Sequence, residues 1–193
     1  MKIRFNKNIQ IEIIDNIVSF SSIKSEWNSL LSDTFFSKSI FQTFEWNYAW
    51  WEFFGKNNDL FILTIRFKNK LIGIIPFYIE NQLKLKFLKT KNLKFLGSGP
   101  SDILDIIADK KYYKEVIKYF FMTLKLVKNK WDNIEIDEVP DNSYSHFIFK
   151  KLSSHIPYNF KSTEQSRSAF LNLPNNFDSF NMNLSKKSRK NFR

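Results

Sequence analysis

Two neighbouring β-rich runs limit what this chain can fold into more than any other feature. Phe61 to Phe67 and Leu71 to Ile79 are separated only by Lys68, Asn69 and Lys70. So short a link between two strand-like runs reads as an antiparallel hairpin. Gly73 and Pro76 interrupt the second run. A proline removes a ladder donor, so this strand is expected at a sheet edge, bulged or splayed near its end. The second run is also the longest apolar stretch, and it is far shorter than the about 20 residues that a membrane-spanning helix needs.

The elements around the hairpin alternate between the two periodicities. Ile9 to Ile14 alternates as an opening strand, and Ile23, Trp27, Leu30 and Leu31 then recur at helical spacing. Thr43 is placed to cap a helix over Phe44 to Phe54, with Phe44, Tyr48 and Trp51 on one face and Gly55 in a left-handed closing position. Leu83 to Leu88 alternates apolar residues with lysines and reads as a third strand, one side to the core and the ammonium groups to water. Gly97-Ser98-Gly99-Pro100-Ser101 must turn, and Ile103 to Ile107 follows as a strand. Asp109 then precedes the clearest helix. Tyr113, Val116, Ile117, Phe120, Leu124 and Val127 form its apolar stripe, opposite Lys111, Lys114, Lys118 and Lys125. Asn133 to Val139 reads as a strand, Ser143 to Leu152 as a short helix and Ser168 to Leu173 as a last short strand. The order is that of a mixed α/β domain, with helices packed on a largely antiparallel sheet.

Several chemistries are excluded outright. The chain has no cysteine, which removes disulfides, thiolate zinc sites and cysteine nucleophiles. No G-x-S-x-G elbow occurs. Nothing imposes metal-ligand spacing, so no metal is expected. Lys2, Arg4 and Lys7 are followed by Asn8, Gln10 and Glu12, which break any apolar run of the kind a signal peptide needs. The expected location is the cytoplasm. With 193 residues and 43% hydrophobic content, the chain is long and apolar enough for a core without covalent staples.

The formal charge of +11 is uneven. Five charges fall on Lys84, Lys86, Lys89, Lys91 and Lys94 and five more on Lys186, Lys187, Arg189, Lys190 and Arg193, so that the remainder is almost neutral. Basic runs are a footprint of polyanion binding. Only five of the thirty basic residues are Arg, however, and the chain is loaded with Lys, Asn, Ile and Phe. That usage fits an A/T-biased coding sequence, and the expectation for nucleic acid is weak, sequence-independent binding or none.

Candidate functional residues fall into four groups. Gly97-Ser98-Gly99 could cradle a phosphate with backbone amides, but Pro100 has no N–H and a strand is expected after the turn, which favours a structural role. Asp102, Asp105 and Asp109, with Glu135, Asp137 and Glu138, could bring carboxylates together for acid/base work, although solvated strand ends explain most such residues. His146 and His155 are the only histidines, and no partner is evident for either. The aromatic run Phe41, Phe44, Trp46, Tyr48, Trp50, Trp51, Phe53 and Phe54 has too many rings for one helix face. Part of it belongs to the core and part to a cleft or an interface.

The order of these features resembles a known family. Phe41-Gln42-Thr43-Phe44-Glu45-Trp46, Trp50-Trp51-Glu52-Phe53-Phe54-Gly55, Leu71-Ile72-Gly73-Ile74-Ile75-Pro76-Phe77, and Phe95-Leu96-Gly97 with Ser101-Asp102 and Asp105 resemble the GNAT-type acetyltransferase family named for CelD, the cellulose-biosynthesis protein. Leu184 to Lys190 resembles the segment that opens the back half in that family. The resemblance spans residues 20 to 193. It implies a GNAT-like lobe over residues 1–174, distantly related to the FemAB aminoacyltransferases, and the polar, basic start of a second lobe over 175–193. It also implies an acyl-CoA donor such as acetyl-CoA, a small-molecule or saccharide amine as acceptor, and a role in polysaccharide or cell-envelope biosynthesis. Trp46, Trp50 and Asp102 are implied as residues lining the acceptor cleft. The family's pyrophosphate loop, a glycine-rich turn before a helix, has no counterpart in these 193 residues, and in the family's layout it would lie beyond Arg193. No catalytic or cofactor-binding residue is assigned. Two other functions are weighed against this one: a FemAB-like aminoacyl transfer and a non-enzymatic basic module for nucleic acid.

Overall fold

The computed structural model describes residues 1–5, 7–34, 39–84, 88–153, 161–164 and 173–190. The chain separates into two compact units, Met1–Phe160 and Lys161–Arg193. The first is built on a seven-stranded sheet. Its strands are β1 (Lys2–Arg4), β2 (Ile9–Ile14), β3 (Asp59–Phe67), β4 (Lys70–Lys84), β5 (Leu88–Phe95), β6 (Ile107–Ala108) and β7 (Asn133–Glu135). The order across the sheet is β1-β2-β3-β4-β5-β7, with β6 paired to β4. Every pairing is antiparallel except β5 with β7.

The hairpin forms where the sequence places it, closed by a tighter turn. Phe67 pairs with Lys70, which leaves Lys68 and Asn69 as a two-residue loop with φ of 47° and 67°. Two positive φ values mark the turn whose twist matches the strands it joins, and Asn tolerates that region better than most residues. The strand at the hairpin's second arm is not an edge. β4 lies in the middle of the sheet, with β3 along one side and both β5 and β6 along the other.

Pro76 is tolerated in that central strand because of where it falls. β6 pairs with Gly73 and Ile74, and β5 pairs from Phe77 onward, so Pro76 occupies the seam between two neighbours. Its carbonyl accepts from Leu96 N–H at 2.7 Å. In an antiparallel ladder a residue's N–H and C=O point to the same side, so the missing donor also faces the seam, where no ladder bond is lost. The expected irregularity is present near Gly73. The register passes from Ile65↔Gly73 to Arg66↔Leu71, leaving Ile72 as the extra residue of a bulge.

Helices cover both faces. On one side lie α1 (Ile17–Ser22), α2 (Lys24–Ser32) and α3 (Phe44–Phe54), whose Phe20, Trp27, Phe44 and Trp50 pack with Leu60, Ile62, Ile74 and Tyr78. On the other lie α4 (Tyr113–Leu126) and α5 (Tyr144–Ser153), where Val116, Ile117, Phe120, Leu124 and Phe149 pack with Ile11, Leu63, Phe77 and Phe95. The α4 stripe foreseen from spacing is buried throughout, and Lys111, Lys114, Lys118 and Lys125 are exposed. α3 has its expected bounds, with Thr43 Oγ1 accepting from Trp46 N–H at 3.3 Å. Its buried face is Phe44, Asn47 and Trp50, while Tyr48 and Trp51 are only half-buried. Gly55 is right-handed, at φ −71°. A Cβ there would lie 2.4 Å from Trp51 O and 2.5 Å from the Trp51 ring, so space and not handedness calls for glycine.

Three strand expectations are corrected. Leu83 to Leu88 is not one strand: Leu83 and Lys84 end β4, Leu88 opens β5, and Lys84 pairs with Leu88. Leu83 is 61% exposed and does not face a core. Of Ile103 to Ile107 only Ile107 is in a strand, and Asn133 to Val139 contributes only its first three residues. The expected strand Ser168 to Leu173 lies, apart from Leu173, outside the described residues. The second unit holds α6 (Phe177–Asn183), capped by Asn176, and α7 (Lys186–Lys190). Among the described residues no helix is long and apolar enough to cross a membrane.

Candidate functional site

The two sequence segments richest in tryptophan and glycine meet in space. α3 lies against the turn that follows β5, and two indole N–H groups tie them. Trp46 Nε1 donates to Ser101 Oγ at 2.9 Å, and Trp50 Nε1 donates to the Ser98 carbonyl at 3.2 Å. Ser101 Oγ in turn donates to the Gly97 carbonyl at 2.7 Å, closing the turn on itself. Gly97 and Gly99 have φ of 93° and 95°, values that L side chains rarely adopt. Trp50 is buried and packs against Tyr78 at a tilt, with ring centroids 4.8 Å apart and planes at 48°, whereas Trp46 is half-buried beside Phe41. Asp102, next along the turn, is exposed. The three residues singled out for a cleft thus meet at one turn, two of them from α3 with their indole N–H groups used to hold it.

Carboxylates face this turn from the chain after β7. Glu138 has φ 56°, its carbonyl accepts from Leu104 N–H at 3.0 Å, and its carboxylate accepts from Gly99 N–H. Its Oε2 is buried and has no hydrogen-bond partner among the described residues. Burial, then the charges of Asp137 and Asp102, push this carboxyl above the usual range, against the Gly99 bond and Lys94. An amide of the glycine turn is therefore committed to a carboxylate. With Pro100 lacking an N–H and Ser98 N–H bonded to the Phe95 carbonyl at 3.2 Å, the turn does not fit a pyrophosphate.

Next to Tyr78, whose partner in register is Lys94, the apolar face of the sheet gives way to a charged patch. Alternation places Lys94 on this face, between Leu93 and Phe95 of the opposite core. Lys94 Nζ bridges Glu80 at 3.0 Å and Glu135 at 3.1 Å. Burial alone would lower this ammonium, but the two hydrogen-bonded carboxylates hold it above its ordinary value. Burial, with Glu80 nearby, pushes the Tyr78 phenol to about 12. Lys94 is thus absorbed by an ion-pair triad, whereas Lys89 and Lys91 of the same basic run are exposed.

The other carboxylates are separated. Asp109 caps the turn before α4, accepting from Lys111 N–H at 2.9 Å, and pairs with Lys70 at 2.9 Å. Burial opposes its ionisation, but Lys70 and Lys111 hold it below the usual range. Asp105 is 4% exposed, and its carboxylate accepts from Ile106 N–H at 2.7 Å and from the hydroxyls of Ser145 and Ser143. Ser145 also bonds the Tyr113 hydroxyl. Burial pushes Asp105 up to about 6 in spite of these donors. His146 lies in the first turn of α5, where its N–H donates to Ser143 Oγ at 3.0 Å, and His155 lies outside the described residues. Among the described residues no group of His, Asp and Glu could hold a metal ion. Glu138 is the functional candidate that sequence reasoning could not separate from its neighbours, since its left-handed backbone and contact with Gly99 leave no mark in the local pattern.

No family model matches this chain, and no curated protein matches it. Among solved structures it is similar to a glucosamine-6-phosphate N-acetyltransferase from Arabidopsis thaliana, at 14% identity over 82% of this chain and 97% of that one, with a TM-score of 0.42. It is similar also to a possible acetyltransferase from Clostridium difficile 630, at 9% identity over 86% and 100% of the two chains and a TM-score of 0.46. A third is an acetyltransferase from Trypanosoma brucei, at 15% identity over 85% and 100%, with a TM-score of 0.45.

Proposed function

We propose that this chain is the front lobe of a GNAT-like N-acyltransferase that uses an acyl-CoA donor and shapes the cleft for an amine acceptor. The observation that carries this reading is the junction of Trp46 and Trp50 with the turn at Gly97 to Ser101, which unites two segments on which the family resemblance rests. Trp46 and Asp102 line the cleft at its surface, and Trp50 supports its floor. Aromatic faces beside carboxylates suit a cationic amine, whose charge they attract. Glu138 is the group here best placed to accept a proton from that amine, because burial raises its carboxyl above the usual range and one oxygen has no hydrogen-bond partner among the described residues. The donor's pyrophosphate site lies in a second lobe that continues past Arg193, with a role in polysaccharide or cell-envelope synthesis.

Two measurements test this. Calorimetric titration of the chain with acetyl-CoA and with ATP is expected to give weak, salt-sensitive binding that does not distinguish them; saturable, salt-resistant and acetyl-CoA-selective binding would place a donor site within residues 1–193. The reading frame in the source gene is expected to continue past Arg193 into a second α/β half, in which case Glu138→Gln in the longer protein lowers kcat by about 100-fold or more. A stop codon directly after Arg193 overturns the two-lobe reading, and full activity of Glu138→Gln overturns the role of Glu138.

A further inference from the structure

The outer face of α4 carries charge that nothing else in the described fold uses. At about 100° per residue, Lys114, Lys118 and Lys125 fall within an arc of about 40°, with Met122 beside them and Leu126 further round. All five are exposed, Leu126 at 59%. Lys128 follows, exposed, in the turn after the helix. None of these four lysines forms an ion pair among the described residues, although ion pairs are made by Lys2, Lys24, Lys70 and Lys94. Glu115 is the helix's one acidic residue and lies in its first turn, where it complements the dipole. Lys114 and Lys118 are four apart, a spacing at which like charges destabilise a helix. The stripe therefore costs the free molecule stability.

We propose that this face of α4 docks on an anionic lipid bilayer. Complementary charge calls for an anionic partner, and the side chains among the lysines say which kind. Met122 and Leu126 are apolar and exposed along one side of the stripe, and Tyr112 and Tyr119 are half-buried with Lys111 and Lys118 over their rings. A nucleic-acid backbone offers such apolar atoms nothing, whereas a headgroup layer takes ammonium groups at the phosphates and apolar tips at the acyl boundary. α4 also has no arginine, and so none of the planar forks that bind phosphate bidentately. The lipid phosphates and carboxylates would be met by point charges, each adding to the attraction of a negative surface.

The test uses the whole chain with sedimentable vesicles of phosphatidylcholine alone or with 30 mol% phosphatidylserine, at low and physiological salt. Binding is expected only with phosphatidylserine. It should fall by on the order of 100-fold when Lys114, Lys118 and Lys125 are changed to Glu. A control with the same charge change at exposed Lys56, Lys89 and Lys187 should keep its binding within a few-fold. Changing the three α4 lysines to Gln gives a milder variant, expected to lose binding in proportion, and circular dichroism checks that each variant stays helical. No binding to phosphatidylserine vesicles, or equal loss in the α4 and control variants, overturns the proposal, since the latter would make net charge the cause. Tighter binding to duplex DNA or tRNA than to vesicles, lost in the α4 variant, overturns it in favour of nucleic acid.

Discussion

Asp105 shows how much a single buried carboxyl can weigh. Its pKa in the fold is about 6, against about 3.9 for an unfolded Asp. The folded state thus holds a proton that the unfolded state has already lost. Stability from this group is complete below about pH 4 and declines as pH rises through 6, by about 3 kcal/mol in all. Asp105→Asn removes that slope, because an amide keeps a neutral group in place while Ser143 and Ser145 reorient. Urea unfolding at pH 4.5 and 7.5 should show the variant's stability changing less between the two than the wild type's; parallel changes would mean that Asp105 does not titrate in this range. Gly73 makes a steric point of the same kind. A Cβ there would lie 2.6 Å from both methyl carbons of the fully buried Val116. Gly73→Ala should cost about 1–3 kcal/mol as an overpacked core. In the background of Val116→Ala, which vacates that space, the same change should cost far less, and an equal cost in both backgrounds would rule out this contact as the cause.

At the level of elements, the tie between α3 and the β5–β6 connection is the one most open to mutation. Trp50→Phe keeps a ring against Tyr78 but gives up the bond to the Ser98 carbonyl. A loss of about 1 kcal/mol is expected, the usual net worth of a hydrogen bond whose freed partner can meet water. Thermal unfolding measures it, and an unchanged midpoint would show that the turn does not depend on the indole. The elements also show what the sequence could disclose. α3, α4 and the β3–β4 hairpin were legible because each combines a strong period with a local stop: Thr43 before α3, Asp109 before α4, and Lys68-Asn69 between the strands. The rank of β4 was not legible. Pro76 speaks against a central strand, and only the seam between β5 and β6, a non-local fact, removes the objection. The split of Leu83 to Leu88 between two strands was hidden too, because apolar–lysine alternation runs through both strand ends. The approach of Trp46 to Ser101 and of Glu138 to Gly99 could not be read at all, being set by the pairing of segments about 40 to 55 residues apart, which no local periodicity encodes.

For the molecule as a whole, the one parallel pairing sets the order in which parts can form. β3, β4 and β5 follow one another as an antiparallel meander, so their contacts close short loops. β7 reaches β5 only across α4, and three residue pairs hold it there. Loop closure must be met before such contacts reward it, so the meander is expected to precede the β7 edge in folding and to outlast it in unfolding. Native-state hydrogen exchange should report this as lower protection at residues 133 to 139 than at 62 to 65 and 72 to 79. Equal protection would mean that the sheet opens as one unit. Glu138 travels on the chain just past that edge, and it meets Gly99 only when β7 is home. If the proposed cleft uses Glu138, it would be assembled after the meander and lost before it, so that mild stress would silence the proposed chemistry while most of the sheet stands.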